Sequence, residues 1–463
     1  MKTTAEPSHV EALIARIARN GDRPAFFWRG RTIPYAELSK WVQSWETRLG
    51  DENIGQGHIV GVDADYTPES VALLLALMRV GAITAILSPA VEREMDSFMK
   101  LAGVQHLFRF DSDDRWALEA FPARPAPDLI EEFRARGRPG LVVFTSGSTG
   151  QPKGILHDCE RLVKRFSAPR TGYRTLLFLL FDHLGGFNTL MSVLSFGGTM
   201  VVPSERTPTE VARIIEAGRV ELLPVTPTLL NLLAASGAGD DRDLSSVKLI
   251  TYGTEVMPEG TLKKIPKLFP HARLQQTYGL SELGTLRSKS LSSDSVWVKV
   301  GGPGFETRVV DGVLQVRSEL AMIGYLNAES PFDADGWLST GDRVEQRGEY
   351  LRILGRESDL INVGGQKVFP AEVETVLMDA DNVEDATVYG EKHPLMGSVV
   401  MACVRLRKPE ALGALRSRLR KLCRQQLAPH KVPVRFHISD EADHNLRYKK
   451  QRPKSEPADK PTS

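Results

Sequence analysis

Short, fully apolar runs alternate with stretches of helical periodicity through most of the chain. Residues 58–64 (HIVGVDA), 175–181 (TLLFLLF), 198–203 (GTMVVP) and 247–253 (VKLITYG) are such runs, and runs apolar on both faces are what buried, mostly parallel strands require. The helical stretches between them complete a βαβ rhythm. The longest apolar stretch, residues 70–87 (SVALLLALMRVGAITAIL), carries Arg79 and Gly81 and runs into Ser-Pro. It predicts a buried helix, a turn and a buried strand rather than a membrane span. From Gly301 the texture changes to short strands such as TRVVDGVLQVRS and YLRILGR, separated by Asp-Gly and Arg-Gly turns, the pattern of a β-meander. Beyond Gly355 comes a compact region with a Gly364-Gly365 loop, a helix from Pro370 to about Met378, and further strand and helix patterns. The expected fold class is α/β: a large N-terminal domain (1–355) of layered parallel and mixed sheets with helices plus a β-meander subdomain, and a small, mobile α+β C-terminal domain (356–452). Residues 453–463, Pro-rich and charged, are expected to be a disordered tail.

Composition narrows the class without changing this picture. With 463 residues, 41% hydrophobic and 25% charged, the chain reads as a globular protein of about two to four domains, and collagen-like or mostly disordered classes are excluded. Fifty-nine Lys and Arg against 58 Asp and Glu give a net charge of +1, which argues against a nucleic-acid coat protein. No nucleic-acid partner is expected. The three cysteines, Cys159, Cys403 and Cys423, are far apart with no CxxC pair, as in a reducing compartment without structural zinc. The N-terminus breaks every apolar stretch with Arg or Glu and lacks the core of a signal peptide; a cytoplasmic location is expected.

Residues 141–154 read LVVFTSGSTGQPKG. An apolar strand passes directly into Thr, Ser and Gly residues closed by Pro152, Lys153 and Gly154. Glycines let backbone N–H groups turn toward an anion, hydroxyls add donors, and lysine adds a point charge. A flexible linker is the bland alternative, but linkers do not usually follow a buried strand and end in Pro-Lys-Gly. The GxxxxGK[ST] pattern of a P-loop NTPase is absent.

Thr145 to Gly154 resembles the TSG[ST]TGxPKG signature of the acyl-adenylate-forming enzymes, the AMP-dependent synthetases and ligases that include acyl-CoA synthetases and peptide-synthetase adenylation domains. The resemblance runs in order from about residue 24 to residue 452. It implies that Thr145, Ser146, Gly147, Ser148, Thr149, Gly150 and Lys153 cradle ATP phosphates, with Thr145 and Lys153 also catalytic. In QQTYGLSELG (275–284) it places Tyr278 against adenine, Gly279 between the nucleotide and acyl sites, Ser281 near the α-phosphate and Glu282 on magnesium. A carboxylate beside phosphates suits Mg²⁺ in any case; otherwise Glu282 would open a helix, favoured by its dipole. In TYGTE (251–255) the resemblance assigns Gly253, Thr254 and Glu255 to the nucleotide site, unless Glu255 caps the next helix. Asp342 of STGD accepts from the ribose hydroxyls, and Arg356 of GRESD also contacts ribose.

The remaining assignments come from the same resemblance. Ser358 falls at the hinge between domains, where relatives carry Asp or Lys, and Gly364-Gly365 forms the loop that meets the thiol acceptor. His183 stands at the mouth of the acyl pocket. Asp182 before it resembles the aspartate with which peptide synthetases bind an α-amino group, although the spacing to Gly197-Gly198 fits acyl-CoA synthetases better and favours an acid that is not an amino acid. The terminal NLRYKKQR keeps a K-x-x-R spacing and assigns the catalytic lysine to Lys449, with Lys450 adjacent and Tyr448 in place of the family glycine. Both lysines could instead belong to a solvated basic tail.

The implied reaction is ATP-dependent activation of a carboxylic acid, fatty or otherwise hydrophobic, through an acyl-AMP, with Mg²⁺ as cofactor. CoA or the phosphopantetheine of an acyl carrier protein is the implied co-substrate. An enzyme passing the adenylate to an amine or amino acid, or an inactive nucleotide-binding relative, are the alternatives. The even net charge conceals one asymmetry: residues 404–435 hold ten Lys and Arg and one acid, Glu410. A helix pattern there, with Leu412, Leu415, Leu419 and Leu422 for its buried face, offers either a solvated basic surface or a landing site for CoA phosphates or an acidic carrier.

Overall fold

The computed structural model describes residues 8–88, 91–122, 125–145, 152–439 and 450. Three of the four apolar runs become strands: Ile59–Asp63, Thr199–Val202 and Leu249–Tyr252. The 70–87 stretch divides as its Gly81 requires, into helix Pro68–Arg79, a turn with Gly81 at φ +78, and strand Ile83–Leu87. Thr67 caps that helix in a reciprocal pair with Ser70, so its first turn is satisfied although ten of its residues are buried. The fourth run departs from expectation. Strand Arg174–Leu176 stops after three residues, and the buried residues that follow carry carbonyls engaged by side chains instead of a ladder: Arg206 Nε donates to Phe178 O at 2.7 Å and the Tyr66 hydroxyl to Leu179 O at 2.9 Å. Leaving the sheet there brings Leu179 and His183 to a cavity wall.

Two seven-stranded sheets dominate. In one, the strands run in the order Arg273–Gln276, Leu249–Tyr252, Leu222–Val225, Arg174–Leu176, Thr199–Val202, Pro24–Trp28 and Arg31–Pro34, parallel except for the last. In the other the order is Gly324–Tyr325, Lys153–Asp158, Gly140–Thr145, Ile83–Leu87, Ile59–Asp63, His106–Phe110 and Trp116–Ala120. Its four inner strands from Gly140–Thr145 to His106–Phe110 are parallel and the flanking ones antiparallel. One hydrophobic cluster joins Phe26 and Met200 of the first sheet to Val62, Ile86 and Leu141 of the second through helices Pro68–Arg79 and Leu184–Phe196. This is the layered arrangement expected for buried parallel strands.

The meander forms a third, six-stranded antiparallel sheet with its own core. Its Asp-Gly turn is a two-residue hairpin loop, with Asp311 at φ 50 and Gly312 at φ 76 between strands Phe305–Val310 and Val313–Ser318, the positive φ pair that the strand twist favours. After a single 3₁₀ turn, Glu357–Asp359, the last sheet of five strands packs with helices Pro370–Met378 and Leu412–Gln426 around a separate cluster from Ile361 to Phe436. The basic helix forms as expected, but its buried face is Leu415, Leu419 and Cys423, whereas Leu412 is exposed. The i, i+4 row is what meets the sheet, which turns Leu412 outward and leaves Leu422 partly buried. Among the described residues no helix is long and apolar enough to cross a membrane.

Candidate active site

A cavity of about 550 Å³ opens where the carboxyl ends of strands from the two large sheets face the meander. This is where α/β sheets place ligands. Thr145 ends strand Gly140–Thr145, Pro224 and Val225 end strand Leu222–Val225, and Gly253 and Thr254 follow strand Leu249–Tyr252; all five line the cavity. Of the residues assigned from sequence, His183, Lys153, Tyr278, Gly279, Ser281, Glu282, Arg356 and Ser358 line it too. Ser146, Gly147, Ser148, Thr149, Gly150 and Lys449 lie outside the described residues.

At one end the groups suit phosphate. Glu282 sits in the turn between strands Tyr278–Leu280 and Gly284–Leu286 and does not open a helix. Its Oε1 accepts from the Tyr325 hydroxyl at 2.7 Å, and the Lys153 ammonium stands 4.5 Å from the centre of the same tyrosine ring. Burial, with Glu282 adding to it, raises the Tyr325 pKa, so the phenol stays a donor. Ser281 is fixed from behind: its carbonyl is 2.8 Å from His157 Nε2. Burial drives the His157 pKa down to about 4, so the ring is neutral at pH 7 and donates there. Gly154 and Pro152, bracketing Lys153, bond Asn327: Gly154 N–H donates to Asn327 Oδ1 at 3.2 Å and Asn327 Nδ2 to Pro152 O at 2.9 Å. Tyr325, His157 and Asn327 were not found from sequence. They reach the site through the pairing of Gly324–Tyr325 with Lys153–Asp158, and no local pattern marks so distant a pairing.

Behind the wall stands a carboxylate with two partners. Asp342, 7% exposed, accepts from the Tyr278 hydroxyl at 2.5 Å and pairs with Arg356 Nε at 3.3 Å. Burial raises its pKa, opposed by Arg356 and by the Tyr278 bond. Thr340 and Gly341 just before it line the cavity, whereas Asp342 itself stands behind Tyr278 and Arg356. Gly279 has a packing reason to be glycine: a Cβ there would stand 2.8 Å from Gly284 O and 2.9 Å from Thr285 Cα, both backbone atoms.

Besides Asp342, four assigned residues lie off the cavity wall. Asp182 is 3% exposed, accepts from the Ser88 hydroxyl at 2.7 Å, and is turned inward from the cavity lining. Glu255 does not cap the helix that follows it and does not line this cavity: Oε2 accepts from the hydroxyl and the amide of Thr228, at 2.7 and 3.3 Å, at the start of helix Pro227–Ser236, and Oε1 from the Lys450 amide at 2.9 Å. Gly364 and Gly365 form the hairpin turn between strands Ile361–Val363 and Gln366–Val368, at φ 57 and 86, with Gly364 N–H on Met396 O at 2.8 Å and Gly365 N–H on Asn362 Oδ1 at 2.9 Å. Ser358, in contrast, is at the cavity, its hydroxyl 3.1 Å from Asp359 Oδ1.

Thr254 adopts φ +72, a left-handed conformation that costs a β-branched residue about 1 to 2 kcal/mol. Thr254→Gly is expected to stabilise the fold by about 1 kcal/mol, raising the midpoint of thermal unfolding by about 1 °C. Scanning calorimetry of the two proteins checks this; an unchanged or lower midpoint would show that the threonine side chain compensates its own strain.

No group of three or more His, Cys, Asp or Glu side chains able to hold a metal occurs among the described residues. A magnesium ion would therefore rest on Glu282 and on substrate phosphate oxygens, the arrangement Mg²⁺ prefers over an all-protein cage. Thr145, Lys153 and Glu282, suited to phosphate, share one wall with apolar and hydroxyl-bearing residues and with Arg356, which is paired to Asp342; such a wall is that of a nucleotide-using enzyme. The chain belongs to the AMP-binding enzyme family: residues 13–326 match that family and residues 372–446 its C-terminal domain. It is 27% identical to a 2-succinylbenzoate–CoA ligase of Bacillus pumilus, across 95% of this chain and 96% of that one. It is 32% identical, over 69% and 66% of the two chains, to a Mycobacterium tuberculosis CoA ligase for a methyl-dioxo-octahydro-indenyl propanoate. Among solved structures, an anthranilate CoA ligase in complex with anthranoyl-AMP superposes with a TM-score of 0.81 at 19% identity, over 97% of each chain.

Proposed function

We propose that this chain is an AMP-forming acid–CoA ligase acting on a compact aromatic or polycyclic carboxylic acid. The observation that carries the proposal is the single cavity wall that presents Thr145, Lys153 and Glu282 together with Leu179, Leu184, Pro224 and Val225. Phosphate-suited and apolar residues line one cavity of about 550 Å³, which suits the adenylate of a compact acid. The relatives' acids, succinylbenzoate and a fused-ring propanoate, support that class and give no support to the fatty acid expected from the resemblance. The inward turn of Asp182 supports an acid without an α-amino group.

In the first step a carboxylate oxygen attacks the α-phosphorus of ATP. The bond from that phosphorus to the bridging oxygen breaks, and pyrophosphate leaves with its electrons. No base is needed, because the acid is ionised at pH 7. Thr145 and Lys153 bind and orient the phosphates, Glu282 fixed by Tyr325 holds the cation side, and Asp342 with Arg356 and Tyr278 orients the nucleoside. A magnesium ion held there supplies positive charge to the phosphate oxygens. In the second step the sulfur of CoA attacks the acyl carbon, the acyl–oxygen bond breaks, AMP leaves and the thiol proton passes to solvent. Division of the chain after residue 355, rotation about Ser358, entry of the Gly364-Gly365 loop in the second step, and a cytoplasmic location belong to the same proposal. For the acceptor, CoA is favoured over a carrier protein. Of the ten basic residues in 404–435, Arg405, Arg416, Arg418, Arg420, Lys431 and Arg435 have partners within the chain. The landing surface thus reduces to Arg407, Lys408, Lys421 and Arg424, enough for a few phosphates and thin for a protein.

The test is product analysis with ATP, Mg²⁺ and CoA across 2-succinylbenzoate, indoleacetate, a fused-ring propanoate and palmitate. Formation of AMP, pyrophosphate and an aryl or cyclic acyl-CoA is expected, and preference for palmitate would overturn the acid class.

A further inference from the structure

Lys450 is held twice, by groups on the two units that meet at its position. Its side chain is 10% exposed, with Nζ 3.5 Å from Glu374 Oε2 and 3.4 Å from Asp385 Oδ1. The ammonium also donates to the Ala386 carbonyl. Glu374 lies on helix Pro370–Met378, and Asp385 and Ala386 on strand Val383–His393, so the side chain is seated wholly in the C-terminal sheet and its helices. The backbone points the other way: Lys450 N–H donates to Glu255 Oε1 at 2.9 Å. Glu255 follows Gly253 and Thr254 of the cavity wall and is braced by Thr228 at the start of helix Pro227–Ser236.

The charges explain why the seat is occupied by lysine. Glu374 and Asp385 are 3% and 5% exposed, and two carboxylates buried together without a cation would repel each other. An ammonium shared by both is committed to that seat and is not the one that meets ATP. The main-chain bond to Glu255, in contrast, exists only while the C-terminal unit is turned so that Lys450 meets Glu255.

We propose that Lys450 is a positioning residue. Its ammonium seats it on the C-terminal unit, and its amide latches that unit to Glu255 in the orientation that forms acyl-AMP, leaving Lys449 as the lysine for the α-phosphate. This rests on the adenylate-forming reading above. The latch serves the first half-reaction alone, because the second requires the C-terminal unit to turn.

The experiment measures the two half-reactions separately in the full chain: acid-dependent ATP–pyrophosphate exchange, and CoA transfer from the supplied adenylate of whichever acid the native protein uses. Glu255→Ala removes the latch without unpairing a buried charge, and Lys450→Met empties the seat. Both are expected to slow exchange about 10- to 100-fold while changing CoA transfer by less than about threefold. Lys450→Arg, which keeps the charge, is expected to restore most of the exchange rate. Lys449→Met is expected to lose more of the exchange than Lys450→Met. Equal loss in both half-reactions for Glu255→Ala, no loss in either, or a greater exchange defect for Lys450→Met than for Lys449→Met would overturn the proposal while leaving the function intact. A native protein that forms no acyl-AMP from any acid would overturn the functional reading and the latch with it.

Discussion

Glu282→Gln is expected to lower acyl-AMP formation by about 10²- to 10³-fold, the scale on which removal of one charge-stabilising group acts at a transition state. The glutamate presents two oxygens. Oε1 is taken by the Tyr325 hydroxyl at 2.7 Å, and Oε2 has no partner among the described residues, which leaves one charged ligand position facing the phosphate end of the cavity. A glutamine amide can still receive the tyrosine's hydrogen bond but carries no charge for a cation. Part of the loss should therefore be recovered by raising Mg²⁺, and the fold should be undisturbed. Tyr325→Phe is the control: it removes the hydroxyl that aims Glu282 and leaves the charge, so its effect should be no more than about tenfold. Exchange assays over a magnesium titration check both. A Glu282→Gln protein with native exchange at every magnesium concentration would remove this residue from the cation site.

Asp342→Asn is expected to raise the KM for ATP about 10- to 100-fold, equivalent to roughly 1.4 to 2.7 kcal/mol of lost binding, with a smaller change in kcat. The carboxylate is buried and holds both Tyr278 and Arg356, the two side chains assigned to adenine and ribose. In asparagine, one of the two acceptor positions becomes an NH₂ group that confronts either a hydroxyl or a guanidinium donor. The pair then separates, and the nucleoside loses its orientation before any chemistry begins. Initial-rate kinetics with ATP varied at saturating acid distinguish this from a structural defect. A lower unfolding midpoint with an unchanged KM for ATP would mean that Asp342 only ties Tyr278 to the meander.

These expectations differ in how visible their bases are in the sequence. Glu282, Asp342 and Lys153 stand in short motifs whose chemistry is local, so a strand followed by glycines and hydroxyls, or a carboxylate in a tight turn, could be assigned directly. The strand at 59–63, the helix and strand of 70–87 and the hairpin at Asp311-Gly312 follow from apolar runs and from residues that accept positive φ. Run 175–181 shows the limit. Its periodicity reads as one strand, yet the chain leaves the sheet after Leu176 because Tyr66 and Arg206, over a hundred and about thirty residues away in sequence, take its carbonyls. The resemblance assigns Glu255 to the nucleotide site through TYGTE, whereas in the structure Thr228 and Lys450 occupy its oxygens. The basic stretch 404–435 looked free in a count of charges, and six of its members are bound within the chain. In each case the deciding partner is remote, and no local pattern encodes it.

The central claim is that the acid's own oxygen forms the bond to the α-phosphorus and later departs with AMP. Turnover of a carboxyl-¹⁸O-labelled acid with ATP, Mg²⁺ and CoA, followed by mass spectrometry of the nucleotide, tests it directly. AMP carrying one labelled oxygen, with unlabelled pyrophosphate, is the predicted result. Unlabelled AMP, or ADP with labelled inorganic phosphate, would contradict it.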